Sequence, residues 1–318
     1  METQIYKSHR AALSPEELKQ LSCIKQWKPL CHTIWLWTGV VAAWSMVAIY
    51  PAWWTILIAI PIIGTRYYAL FILGHDGMHR RLFYNTQMND LFCDLFLIGP
   101  VGAITRINKK NHLEHHNHLS TEDDPDRHKH TCFGKSTTAE YLLFLTGIKS
   151  LKKVVTNSYV GKKNKLSNAK IKNLVLKYTL RDLLILCSIQ LAIIFGLTVS
   201  IGWWAYLVLW LLPIFIFAYL ADLARSFLEH AQPEPDEKAD EHRLITYKSN
   251  PIEKLFLAPL NMNFHAAHHL WTSIPYYNLP QADKILQRHQ TPGLIWRKSY
   301  FLFALQYLKS LPIFDCKK

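Results

Sequence analysis

Charge is what this sequence has least of. Only 19% of its 318 residues are Asp, Glu, Lys or Arg, against about 25% in an ordinary soluble domain. The deficit is local: no charged residue occurs from Pro29 to Thr65, and none from Leu183 to Ala221. A spanning helix needs about 20 apolar residues to cross about 30 Å of hydrocarbon, so each run is too long for one crossing and suits two. Breaks at Tyr50-Pro51 and Ser200-Ile201-Gly202 divide the runs, giving expected spans near 33–50, 52–74, 183–200 and 202–222. Tryptophans at the breaks (Trp53, Trp54, Trp203, Trp204) suit a bilayer interface. Cysteine is scarce as well. Six in 318 residues are too few for a disulfide-built scaffold, and Cys23, Cys31, Cys93, Cys132, Cys187 and Cys316 form no Cys-x-x-Cys pair and read as reduced, structural thiols. Half of the chain is apolar, which excludes intrinsic disorder.

Negative charge is the scarcer sign, 23 Asp and Glu against 36 Lys and Arg. The two hairpin tips carry neither Lys nor Arg. Nearly all the cations lie in the N-terminal segment, in 77–182 or after Leu223. The positive-inside rule places these regions, and with them both termini, on the cytoplasmic side. Residues 1–28 are polar, with no small-residue cleavage site after the first apolar run, so no secretory leader is expected. Arg66 is the exception inside a span. It either serves a function, such as contact with an anionic head group, or is accommodated by snorkelling or by pairing with Asp76 or Asp94. Residues 91–105 read as a helix at or re-entering the interface, 140–156 and 294–312 as amphipathic interfacial helices, and 157–172 and 231–243 as surface loops. The expected fold is an all-α integral membrane protein, one domain over 1–318, with four transmembrane helices in two hairpins beneath a cytosolic helical cap.

What the sequence has in excess is histidine, sixteen residues in all. Eight fall in three clusters: His75-Asp76-Gly77-Met78-His79, His112-Leu113-Glu114-His115-His116 and His265-Ala266-Ala267-His268-His269. Positions i, i+3 and i+4 share one helix face, so each cluster aims two or three imidazoles at one point. Neutral imidazole ligates iron, zinc and copper. With four spans, all three clusters fall on the same side of the membrane. Eight imidazoles exceed the four that fill one zinc. Bundle-type di-iron carboxylate proteins use Glu-x-x-His pairs, and this chain has none. The remaining reading is two irons ligated by histidines. Asp76, Glu114, Asp123, Asp124, Asp126 and Glu229 are available to orient ring N–H groups. His9, His32, His128, His130, His242 and His289 read as ordinary satisfied or solvated histidines, and His118 is ambiguous.

These clusters and their flanks resemble the integral-membrane fatty acid desaturase family. His75-Asp76-Gly77-Met78-His79 is similar to the family's first histidine box. Asn111 to His116, with the acidic Asp123-Asp124-Pro125-Asp126 behind it, is similar to the second. Asn263 to Leu270, followed by Pro275-Tyr276-Tyr277-Asn278-Leu279-Pro280, is similar to the third. Arg225-Ser226-Phe227-Leu228-Glu229-His230 resembles the segment that supplies a further ligand, which implies His230 as the ninth. The chain departs from the family in two places. Trp271-Thr272 replaces an aromatic-Pro pair, and Ser226 stands where some members have an Asn that holds a water on one iron. The third box opens on His265 rather than Gln, unlike front-end desaturases.

The resemblance implies an O2-dependent enzyme with two non-haem irons. Electrons would come from a separate ferredoxin or cytochrome-type donor, since no His-Pro-Gly-Gly haem module is fused. The expected reaction is a double bond placed in a fatty acid or lipid acyl chain. A hydroxylase or ketolase of the same fold, acting on an alkane, carotenoid or other lipid, is the nearest alternative. A metal-binding membrane transporter and a bis-histidine haem cytochrome are more distant ones: transport sites favour the bilayer midplane, and haem needs facing histidines inside it. A membrane lipid is the expected partner and nucleic acid is not.

Overall fold

The computed structural model describes residues 10–119, 121, 123–130, 136–149, 152, 178–230, 244–289 and 294–313. Helix α1 (Pro15–Leu21) is closed by a capping box between Ser14 and Glu17. Helices α2 (Trp27–Ile49) and α3 (Trp53–Met78) form the first apolar pair. Then come α4 (Thr86–Phe92), a wide turn at Cys93–Leu97 and a tight one at Gly99–Val101. Helices α5 (Thr105–His118), α6 (Arg127–His130) and α7 (Thr138–Leu145) follow. The second apolar pair is α8 (Leu180–Ser200) and α9 (Leu207–His230), the latter loosened by wide turns at Leu207–Leu211 and Phe215–Leu220. The rest comprises β1 (Leu244–Tyr247), α10 (Pro251–Phe256), α11 (His265–Leu270), α12 (Leu279–His289), β2 (Leu294–Arg297) and α13 (Tyr300–Ser310).

Helices α2, α3, α8 and α9 are each long and apolar enough to cross a membrane. The chain is a mostly helical integral membrane protein, as its charge distribution indicates. At 26 residues, α3 is about 39 Å long, and at 24 residues α9 is about 36 Å. Both outrun about 30 Å of hydrocarbon. Each is therefore long enough to cross with a turn or more to spare. Trp53, Trp54 and Trp203 are exposed at the breaks between the paired helices.

The 91–105 segment turns back among the spans, and its wide and tight turns leave carbonyls outside the α-helical ladder. The spans supply the missing donors. Trp37 Nε1 donates to Phe96 O (2.9 Å), Tyr67 Oη to Leu97 O (2.7 Å) and Gln190 Nε2 to Pro100 O (2.8 Å). Irregular backbone at membrane depth persists only when satisfied in this way. Small residues on α3 allow the approach: a Cβ on Gly77 would lie 2.3 Å from Cys93 Sγ. Trp210 is fully buried and packs edge-on to Tyr67 at 4.9 Å and Trp44 at 5.5 Å between ring centroids, tying α2, α3 and α9 together.

Two expectations change in detail, and a third falls largely outside the described residues. Residues 294–297 form β2, which pairs parallel with β1 (Leu244 opposite Leu294), and only Tyr300–Ser310 of that stretch is helical. A distant strand partner leaves no trace in local periodicity. Arg66 pairs with neither Asp76 nor Asp94. Its stem lies against Gly39 and its guanidinium 5.9 Å from the centre of the Trp35 ring. The expected loops at 157–172 and 231–243, and the second half of the expected helix at 140–156, lie outside the described residues apart from Lys152.

Candidate metal centre

The ends of α3 and α9 and the short helices α5 and α11 bring nine histidines together. His75 lies in the last turn of α3 and His79 caps it. The next residue, Arg80, takes a left-handed conformation (φ 57°) that stops the helix, and an ion pair with Asp90 at 2.9 Å holds it there. His112, His115 and His116 project from α5, and His265, His268 and His269 from α11. His230 closes α9. Asn263 fixes the approach to α11: its Nδ2 donates to Tyr247 O at 2.8 Å, and its own O accepts from Tyr247 N at 3.0 Å.

The nine divide into two groups. His75, His79, His112, His116 and His268 each offer a ring nitrogen, all within 4.8 Å of one another. His115, His230 and His269 do the same. His265 joins the second group, with Nε2 2.9 Å from His230 Nε2 and 3.0 Å from His269 Nε2. The groups adjoin where His116 and His269 stack at 4.0 Å. All nine histidines expected as ligands therefore converge, including His230.

The donor set fits a pair of metal ions. In the first group, His79 and His112 bring Nε2 atoms to 2.8 Å, His112 and His116 to 3.0 Å, and His116 and His268 to 3.2 Å. Neutral imidazoles pressed nitrogen to nitrogen repel through their lone pairs unless protons or a cation lie between them. Nitrogens bound at right angles 2.0–2.1 Å from one ion lie about 2.9–3.0 Å apart, and tetrahedrally bound ones about 3.3–3.4 Å. Two of the observed spacings match the former and the third lies between the two values, and five donors exceed a tetrahedral shell. Burial first, and neighbouring rings and cations second, hold His79, His112, His116, His265, His268 and His269 below the ordinary imidazole value. They are thus neutral, ligand-ready imidazoles at pH 7.

The carboxylates expected behind the ligands divide. Asp124 supports the centre: its Oδ1 accepts from His115 Nδ1 at 3.0 Å. Burial pushes its carboxyl up, but the His115 and His130 hydrogen bonds and charges outweigh this and hold it well below the usual range. Asp76 touches no histidine and instead accepts from Tyr276 N at 3.1 Å, bracing the loop after α11. Glu114 lies 3.4 Å from His118 on the outer face of α5, away from the centre. Asp123 is exposed, and its backbone N–H donates to Thr121 Oγ1. Asp126 pairs with Lys129 Nζ at 3.1 Å. Against the upward push of burial, that charge and the nearby histidines bring the Asp126 carboxyl to about 2. Glu229 is fully buried. It accepts from Arg225 Nη1 (2.9 Å) and Tyr300 Oη (2.5 Å), and one oxygen lies 3.4 Å from His265 Nε2. Sequence reasoning missed His130, which is buried against His230 and His115. The acidic turn leading back from the second cluster is the only local signal for it.

Three known proteins are similar to this chain. Beta-carotene ketolase of Paracoccus sp. (strain N81106 / MBIC 01143) is 24% identical over 252 residues, covering 76% of this chain and 88% of the relative. The sn-1 acyl-lipid omega-3 desaturase (ferredoxin) of Nostoc sp. (strain 36) is 22% identical, covering 74% and 69%. Dihydrorhizobitoxine desaturase of Bradyrhizobium elkanii is 25% identical, covering 80% and 74%. The family model for fatty acid desaturases spans residues 51–300, taking in every one of the nine converging histidines, and the chain belongs to that family.

Proposed function

We propose that residues 1–318 form one catalytic domain, an O2-dependent di-iron oxidoreductase that places a double bond in the acyl chain of a fatty acid or membrane lipid. The observation that carries this reading is the pair of adjoining histidine groups, five and four imidazoles, at one end of the spans. His75, His79, His112, His116 and His268 would hold one iron, and His115, His230, His265 and His269 the other. Iron so held supplies the chemistry of reducing O2 and drawing hydrogen from an unactivated carbon. The balanced change is –CH2–CH2– plus O2, two electrons and two protons giving –CH=CH– and two waters.

The protein's own part is positional. The α3 and α9 ends fix the ligand faces, Asp124 sets the His115 ring with Nε2 inward, and the packing of α11 keeps bulk water out. A groove of about 840 Å3 between α2, α8 and the 91–105 segment, lined by Leu30, Trp37, Phe96, Ile189 and Ile193 and by none of the nine histidines, is apolar enough to receive a lipid chain beside the spans. The surplus of Lys and Arg outside the spans supports a cytoplasmic centre and charge-steered docking of an acidic ferredoxin or cytochrome-type donor.

The similarity to a ketolase, which covers most of both chains, favours one second reading: oxygen insertion into a carotenoid or other lipid by the same centre. Lipids from a host with and without the chain separate the two. A new double bond supports the first and a new carbon–oxygen bond the second. Unchanged lipids together with purified protein holding zinc and no iron would refute both.

A further inference from the structure

We propose that His130 is a tenth metal-binding histidine, the fifth imidazole at the second metal position. The inference rests on the two-metal reading above and concerns how that position is completed. The first group has five donors and the second only four. His130, at the end of α6, lies beside the smaller group and is 4% exposed.

Its ring lies beside two rings of that group. Their centroids are 4.7 Å (His230–His265), 4.9 Å (His230–His269) and 5.2 Å (His115–His230) apart. His130 is 4.5 Å from His230 and 5.1 Å from His115. The support behind the ring resembles that of His115. A metal-bound histidine commonly turns its second ring nitrogen to a carboxylate. The Nδ1 atoms of His115 and His130 face the two oxygens of one carboxylate, Asp124, at 3.0 and 3.4 Å. With Nδ1 turned toward Asp124, the Nε2 of each ring faces away from that carboxylate and is left for a cation. The short helix α6 is tethered for this purpose: Lys129 pairs with Asp126 at 3.1 Å and reaches Asp222 on α9 at 4.0 Å, keeping His130 against the α9 end that carries His230.

The test compares full-length wild type, His130→Gln and His130→Phe, each loaded anaerobically with ferrous iron-57. Iron per chain and Mössbauer doublets are measured on the loaded protein and thermal midpoints on the metal-free protein. Gln keeps a hydrogen-bond donor toward Asp124 and Phe keeps the ring volume, but neither donates a nitrogen to a metal. Wild type is expected to hold about two irons with two doublets. Both variants should keep the wild-type metal-free midpoint while the doublet of the second position is lost or shifted and that of the first is unchanged. Two irons with both doublets unaltered in His130→Gln would overturn the inference, making His130 a packing buttress, and would leave the two-iron reading intact. A wild type without two irons would refute that underlying reading, and this inference with it.

Discussion

Arg225→Met leaves a buried carboxylate without its cation beside the metal centre, and the size of the loss can be worked from the geometry. Arg225 is 4% exposed and spends its whole guanidinium inside the protein: Nε on Tyr68 Oη at 3.0 Å, Nη1 on Glu229 at 2.9 Å and Nη2 on Asp222 at 2.9 Å. Glu229 has no exposure, and Tyr300 Oη is its other hydrogen-bond partner. Breaking a buried pair from one side costs about 3–5 kcal/mol, because the remaining charge is uncompensated. A chain this long loses about 2 °C of thermal midpoint per kcal/mol, so Arg225→Met should fall by roughly 6–10 °C. The double variant Arg225→Met/Glu229→Leu removes both charges and should recover most of that loss, since a buried pair and a well-packed apolar replacement are often close in stability. The assay is a double-mutant cycle of thermal midpoints in one detergent, with iron content measured alongside. The single variant should also hold the second iron abnormally, because the freed Glu229 oxygen lies 3.4 Å from His265 Nε2. A single variant within 2 °C of wild type, or a double variant less stable than the single, would refute the claim that the Arg225–Glu229 pair matters through charge compensation.

Three further outcomes follow from the same geometry. Asp124→Asn should weaken iron retention about 10–100-fold, the usual effect of removing the carboxylate behind a ligating histidine, whereas Glu114→Gln should not; a chelator challenge on the loaded protein measures both, and equal retention in the two would contradict the role given to Asp124. Gly64→Ala should cost about 1–3 kcal/mol, because its Cβ would lie 2.2 Å from the Phe217 ring, while Gly196→Ala, with nothing within 4 Å, should be neutral; similar midpoints for the two would refute the close α3–α9 packing. Acid should release iron. His112, His116, His265, His268 and His269 titrate below the ordinary imidazole value in the fold, so the unfolded chain binds more protons as pH falls through about 6.5, and stability present above that pH is lost below it. Protons also compete directly for the ligand nitrogens, so retention should be flat from about pH 7 to 8 and fall steeply below about 6; metal analysis of desalted protein across that range would disprove this if retention held to pH 5.

Much of the centre was legible because helical spacing is a local property: residues at i, i+3 and i+4 share a face wherever the helix goes, and the spans put the clusters at one end. The supporting residues follow a different logic. Glu114 was open to a better reading from sequence alone. At about 100° per residue it points roughly 160° away from both His112 and His116, which sends it to the outer face where it meets His118. No such arithmetic reaches Asp124. It faces His115 because the chain reverses after α5, and the backbone N–H of Asp126 donates to Asp124 Oδ1 at 2.8 Å, locking that carboxylate inward while Asp123 beside it stays outside. Equivalent letters in one acidic run thus have opposite fates, decided by a turn. His130 is further removed still: its neighbours belong to α5 and to the end of α9, a hundred residues on, and only the docking of α6 brings them together. The same holds for Glu229, whose partner Tyr300 lies in the last described helix. The ligands could be read from periodicity because helix geometry carries them. What aims the ligands is tertiary, and a single sequence does not record which of several like residues the fold will turn inward.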